Sequence, residues 1–143
     1  MSASQQDPFQ LGELVANNVE LFRAFAGKNF RERRANAPHV VRYWAYLLRE
    51  EDVADGLSVG FTPRASVKHL SRNYGYCSIL SAEITSLPDG LYVRVDGSDK
   101  EHGFICNLPL RTTSDETLRS AMRIAKELAR RSKVITCDPY IPV

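Results

Sequence analysis

The sequence lacks most of the patterns that announce a particular chemistry. No apolar run approaches the roughly 20 residues a membrane-spanning helix needs, so no membrane partner is expected. The opening residues, Met1 to Gln6, are polar and hold no apolar signal core, which points to a cytoplasmic protein with a short flexible tail. There are three cysteines, Cys77, Cys106 and Cys137, odd in number and far apart. That argues against a disulfide framework and for reduced, packed thiols. No Cys-x-x-Cys and no His/Cys pair at zinc spacing occurs, so no metal is expected. Neither common phosphate-cradling loop, Gly-x-x-x-x-Gly-Lys or Gly-x-Gly-x-x-Gly, is present. No Gly-x-Ser-x-Gly elbow supports a serine hydrolase. Internal repeats and low-complexity stretches are also missing. A formal net charge of +2 lacks the imbalance of a dedicated nucleic-acid binder.

What remains is ordinary in amount and informative in order. At 143 residues, with 43% hydrophobic and 25% charged residues, the chain suits one domain with a real core. Residues 7–143 read as a single α+β domain: a small, mostly antiparallel sheet packed with an N-terminal and a C-terminal amphipathic helix. Asp7-Pro8 reads as N-cap and first helical position, with Gln10 in the capping-box place. Leu11, Leu14, Val15, Phe22, Phe25 and Ala26 then follow helical spacing up to Gly27. His39 to Arg49 fits both periods, and its β-branched and aromatic residues favour a strand.

Thr62-Pro63 starts a second helix, expected to stop near Asn73-Tyr74-Gly75. Tyr76 to Thr85 reads as a strand and Pro88-Asp89-Gly90 as a turn. Leu91 to Val95 and Phe104 to Leu108 make a plausible hairpin around Asp96 to Glu101. Thr113-Ser114-Asp115-Glu116 fits a capping box for a helix with the stripe Leu118, Ala121, Met122, Ala125, Leu128 and Ala129. Acidic residues open that helix and Arg130, Arg131 and Lys133 close it, as the macrodipole favours. Lys133 to Thr136 reads as a last strand.

Candidate functional residues come from the strand ends. His102 follows the acidic turn Asp99-Lys100-Glu101 and precedes Gly103, a place where a histidine serves as general base or hydrogen-bond donor. The bland alternative is a turn histidine with no role. Asp55 and Ser58 flank a glycine turn, where aspartate also serves simply to accept local backbone N–H groups. The expectation is one pocket holding Asp55, Ser58 and His102, with Arg42 or His69 nearby. Arg64, Lys68 and Arg72, at i, i+4 and i+8, form a basic stripe that could follow phosphates, or a solvated helix face. Because the net charge is modest, nucleic acid ranks behind the other readings. Tyr43, Trp44 and Tyr46 concentrate aromatic surface suited to a core, a ligand pocket or a homo-oligomer or other protein interface.

Asp55-Gly56-Leu57-Ser58-Val59, with His102-Gly103-Phe104-Ile105-Cys106-Asn107-Leu108-Pro109, resembles a group of small uncharacterised bacterial proteins. Their pattern is D-G-L-S-V followed by H-[AG]-x-I-x-x-L-P. The resemblance covers about the middle third of the chain and implies no catalytic role. A weaker likeness is to minimal ADP-ribosyltransferase-type toxins. It implies NAD as cofactor, with Arg42 on its pyrophosphate, Tyr76 on its nicotinamide, and Ser78 or His102 orienting ribose. The glutamate such enzymes use has no clear counterpart here. The functional expectation is a bacterial effector-type protein that binds a nucleotide-like ligand, in its sharpest form an ADP-ribosyltransferase-like toxin of a toxin–antitoxin pair. The alternatives are a non-catalytic interaction or regulatory subunit, and a weak nucleic-acid binder.

Overall fold

Leu21 and Phe25 alternate with Phe22 and Ala24, and that alternation is realised in the centre of a sheet. A computed structural model describes residues 9–32, 39–49, 52, 54–68, 70–110 and 114–141. Its strands are β1 (Glu20–Ala24), β2 (Arg31–Glu32), β3 (Val40–Val41), β4 (Leu57–Gly60), β5 (Tyr76–Leu80), β6 (Tyr92–Val95), β7 (His102–Cys106) and β8 (Lys133–Thr136). The helices are α1 (Pro63–Val67), α2 (Ser81–Thr85) and α3 (Asp115–Arg131), with 3₁₀ turns at Lys28–Phe30 and Tyr43–Tyr46. Six strands form one antiparallel sheet in the order β6-β7-β4-β1-β5-β8, and β2 pairs with β3 apart from it. The α+β class expected from the sequence is the one observed. No helix among the described residues is long and apolar enough to cross a membrane.

The expected N-terminal helix does not form over the described residues; Asp7 and Pro8 lie outside them. Leu14 instead makes an isolated bridge to Arg94, and the Val15 N–H donates to the Val93 carbonyl at 2.9 Å. Leu21 and Phe25 satisfy a helical period, yet they also satisfy a strand period. The central place between β4 and β5 buries both completely, and tertiary context of this kind overrides local pattern. Asn17 and Asn18 serve as turn residues. The Asn18 Oδ1 accepts from the Ala82 N–H at 3.0 Å, and Ser81 Oγ donates to the Asn17 carbonyl at 3.1 Å.

One face of the sheet is closed by α3. Ser114 caps this helix by accepting from the Thr117 N–H at 3.2 Å, so the cap lies one residue later than a box built on Thr113, which falls outside the described residues. Ala121, Ile124, Ala125, Leu128 and Ala129 are buried against Leu57, Val59, Cys77, Ile79 and Ile105. Leu118, expected in that stripe, is exposed. Tyr46 reaches into the same layer, its hydroxyl 2.6 Å from Ser132 Oγ and 3.5 Å from Cys77 Sγ. Burial pushes the Cys77 thiol up to about 11, which makes it a packing group and no nucleophile.

Three further expectations change. Residues 39–49, read as a strand, form only the two-residue β3 before turning into 3₁₀ geometry at Tyr43. The strand expected over Tyr76 to Thr85 stops at Leu80, where α2 begins. Helix α1 ends at Val67, well before Asn73.

Helix α1 lies on the opposite face of the sheet because Gly60 has no side chain. A Cβ at position 60 would sit 2.5 Å from the Ser66 nitrogen and 2.9 Å from the Thr62 oxygen, both backbone atoms. Gly60→Ala must therefore lift α1, and overpacking of this kind destabilises by about 1–3 kcal/mol. Gly97→Ala meets nothing within 4 Å and should stay within about 0.5 kcal/mol of the parent. Urea unfolding of the two variants checks the contrast; equal stabilities would refute the close packing of α1 on β4.

Candidate functional site

The ladder between β1 and β4 consists of a single rung, Phe22 opposite Gly60. Past that rung, towards Ala24 and Leu57, the guanidinium of Arg23 takes the place of ladder bonds. Its Nε donates to the Ala45 carbonyl at 2.9 Å and its Nη1 to the Ser58 carbonyl at 2.8 Å. Among the described residues Nη2 has no hydrogen-bond partner. Burial pushes the Arg23 guanidinium below its ordinary value, while Tyr46, Cys77 and Asp52 act in the other direction. Arginine stays charged throughout.

A cavity of about 210 Å³ opens here. Arg23, Arg49, Asp52, Ser58, Ser66 and His102 are its polar lining, and Phe30, Trp44, Leu47 and Leu70 contribute apolar walls. Arg49 Nε and Asp52 Oδ2 form an ion pair at 3.1 Å. Trp44 is 40% exposed, its ring stacked on Tyr43 at 4.9 Å between centroids.

His102 reaches the cavity through the pairing of β7 with β4, in which Gly60 lies opposite His102 and Ser58 opposite Phe104. The register puts Ser58 and His102 on the same face of the sheet. His102 is buried, and its Nδ1 lies 2.9 Å from Asp99 Oδ2. The backbone N–H of Glu101, together with the side chains of His102 and Lys68, holds the Asp99 carboxyl down at about 2. An ionised carboxylate only accepts hydrogen bonds, so the Nδ1 of His102 carries the hydrogen and Nε2 is the acceptor of the neutral ring. The arrangement fixes the imidazole's tautomer and orientation beside a half-buried guanidinium. The Arg23 guanidinium and two aromatic walls suit an anion attached to a flat ring.

Of the residues expected in one pocket, Ser58 and His102 share this cavity. Asp55 does not line it. It sits exposed on the turn before β4, where its carbonyl accepts from Cys106 Sγ at 3.8 Å, and Gly56 takes the positive φ of 113° that the turn requires. His69 lies outside the described residues. Arg42 is exposed and lines a separate depression with Tyr43 and Lys126 of α3.

Tyr76 is buried in a small cluster with Ala24 and Val67, edge-on to Phe22 and Tyr140. Ser78 is buried two residues along the same strand. Arg42 thus lines a depression that neither Tyr76 nor Ser78 enters. The basic stripe Arg64, Lys68 and Arg72 is not a helical face either, because α1 ends at Val67. Lys68 Nζ is also engaged by Asp99 Oδ2 at 3.3 Å and Glu101 Oε2 at 3.9 Å.

The residue missed by sequence reading is Arg23. A signal was present: a single charge inside the run Leu21-Phe22-Arg23-Ala24-Phe25. The helical reading singled out only the apolar positions around it. Among the described residues no His, Cys, Asp and Glu cluster could hold a metal ion.

The Asp99 carboxyl titrates at about 2 in the folded chain against an ordinary 3.8. Its stabilisation is thus complete above 3.8 and lost as pH falls through about 2. The Asp99→Asn variant should be less stable than the parent at neutral pH, with the gap in melting temperature closing between pH 4 and pH 2. Thermal unfolding followed across that range tests it; a gap independent of pH would mean the carboxylate is not held by His102, Lys68 and the Glu101 N–H.

Comparison of the chain with protein-family models, with curated proteins and with solved structures finds no match.

Proposed function

We propose that the chain is a binding protein for a small anionic ligand carrying a planar ring, of the nucleotide class, held in the cavity between β1 and β4. The observation that carries the reading is Arg23. It is a cation inside the sheet, tied to two carbonyls through Nε and Nη1, with Nη2 unpaired among the described residues beside a cavity it lines. A phosphate or carboxylate accepts from such a group with the strength of a charge-assisted bond. Trp44 and Phe30 offer ring faces for stacking, and Ser58 and His102 offer polar contacts to the atoms between.

Size narrows the class. Cavities that enclose drug-sized ligands run from about 300 to 1,000 Å³, and this one is about 210 Å³. It encloses a phosphate or a single ring with the rest of a mononucleotide at the mouth, and is too small to enclose a dinucleotide such as NAD. The separation of Arg42 from Tyr76 and Ser78 also favours binding over ADP-ribose transfer.

Titration calorimetry with nucleoside 5′-monophosphates, against the same nucleosides without phosphate, tests the reading. Loss of a charge-assisted bond is worth about 1.5–3 kcal/mol, so the nucleosides should bind at least about tenfold more weakly. Trp44→Ala should weaken the monophosphates by roughly tenfold through lost stacking, with little change in thermal stability. Arg23→Lys keeps the charge but loses the fork, and should weaken binding while remaining folded by circular dichroism. No binding heat at millimolar ligand, or affinity indifferent to both the phosphate and Trp44, would sink the reading.

A further inference from the structure

On the outward side of α3 four cations lie along one line. Arg119, Arg123, Lys126 and Arg130 are all exposed. At 3.6 residues per turn they fall within an arc of about 60°, along about 16 Å of helix axis. Their partners differ. Arg123 Nη2 is held by Asp89 Oδ1 at 2.8 Å, and Arg130 is paired with Glu127. Arg119, Lys126 and Arg42 form no ion pair among the described residues; Arg42 faces the same helix across a depression whose lining also includes Glu32, Tyr43 and Arg130. Releasing any of these three to a ligand breaks no ion pair among the described residues. Lys126 Nζ sits over the Tyr43 ring at 5.5 Å from its centroid, and Tyr43 stacks in turn on Trp44.

We infer that this face, Arg42, Arg119, Lys126 and Arg130 with Tyr43 beside them, binds the phosphate backbone of a single-stranded nucleic acid. The inference goes beyond the cavity reading and stands without it. A single file of cations suits a chain of repeating phosphates. The half-buried Tyr43 ring stacks on Trp44 and carries Lys126 over it; when Lys126 turns to a phosphate, the face it leaves is open to an unstacked base, the pairing of stacking platform and positive track that single strands use. A duplex keeps its bases stacked inside and has no use for the ring. The net charge of only +2 makes the interaction local to this face, so its salt dependence should be set by few contacts.

Fluorescence anisotropy of a labelled oligothymidylate of about 12 nucleotides tests the inference at low salt. The expected result is binding whose log affinity falls with log salt, with a slope of about −0.7 for each phosphate contact. The combined variant Arg42→Ala, Arg119→Ala and Lys126→Ala should bind at least tenfold more weakly and flatten the slope by about 2. Tyr43→Ala should weaken the oligonucleotide several-fold. None of these residues lines the cavity, so mononucleotide titrations should be unchanged in the combined variant. No binding by the parent protein overturns the inference, as does unchanged affinity in the combined variant. Binding of duplex or inorganic polyphosphate as tight as that of the oligonucleotide also overturns it, since bare charge would then suffice. Mononucleotide binding lost with oligonucleotide binding intact would remove the cavity reading and leave this one.

Discussion

The Arg23 guanidinium is the constraint around which the rest is arranged. It stands at the centre of the sheet, where β1 and β4 share one rung. Without it, the Ser58 and Ala45 carbonyls would lose the donors they have. Ala45 is fully buried, and a buried acceptor left unsatisfied costs about 1–3 kcal/mol, a large fraction of a domain's net stability; the bond to the Ser58 carbonyl lies at the surface and adds less. One side chain thus ties β1 to β4 and both to the 3₁₀ turn at Tyr43–Tyr46. The same side chain lines the cavity, so the group that holds the sheet together is also the group best placed to meet an anion. Stability and binding are coupled at one residue, which is why conservative variants and a stability control are needed to separate them.

Both edges of the sheet are managed. The edge strand β6 is covered by the N-terminal segment: the Val15 N–H donates to the Val93 carbonyl and the Val95 N–H to the Glu13 carbonyl. At the other edge, β8 shifts register against β5 between Tyr76 and Cys77, a bulge that spoils the row of free backbone groups another chain would need. The N-terminal segment, expected as a helix with an apolar face to bury, spends its backbone on an edge instead.

How much was legible follows from where the determining forces lie. Helix α3 was legible because its cap, its end charges and most of its apolar stripe are local. The β6–β7 hairpin was legible because its turn residues are local too. Residues 20–25 were not, because Leu21 and Phe25 fit either period and only the neighbours β4 and β5 decide between them. Helix α1 ends at Val67, which packs with Ala24 and Tyr76, and no window around Thr62 contains those partners. In the site, Ser58 and His102 were legible as polar groups beside turns, and the β4–β7 register brings them to one face. Asp55 was an equally good candidate by composition, but it lies on the turn before the strand, where its backbone is used and its side chain faces solvent. Arg23 carried its signal as a charge in an apolar run, and that signal has no meaning until the run is known to be a strand.

The segment most resistant to sequence reading turns out to be the one that does the most. In the 3₁₀ turn Tyr43–Tyr46, four consecutive residues serve four different surroundings. Tyr43 carries Lys126 of α3, Trp44 walls the cavity, the Ala45 carbonyl accepts from Arg23, and the Tyr46 hydroxyl meets Ser132 and Cys77 in the core. A strand would divide these side chains between two faces. An α-helix would need a longer run to gain its hydrogen bonds. Three residues per turn fan consecutive side chains about 120° apart, which lets one short turn touch helix, cavity, sheet and core at once. Neither the period of a strand nor that of a helix describes such a segment, and its ambiguity in sequence is the direct expression of its several contacts in the fold.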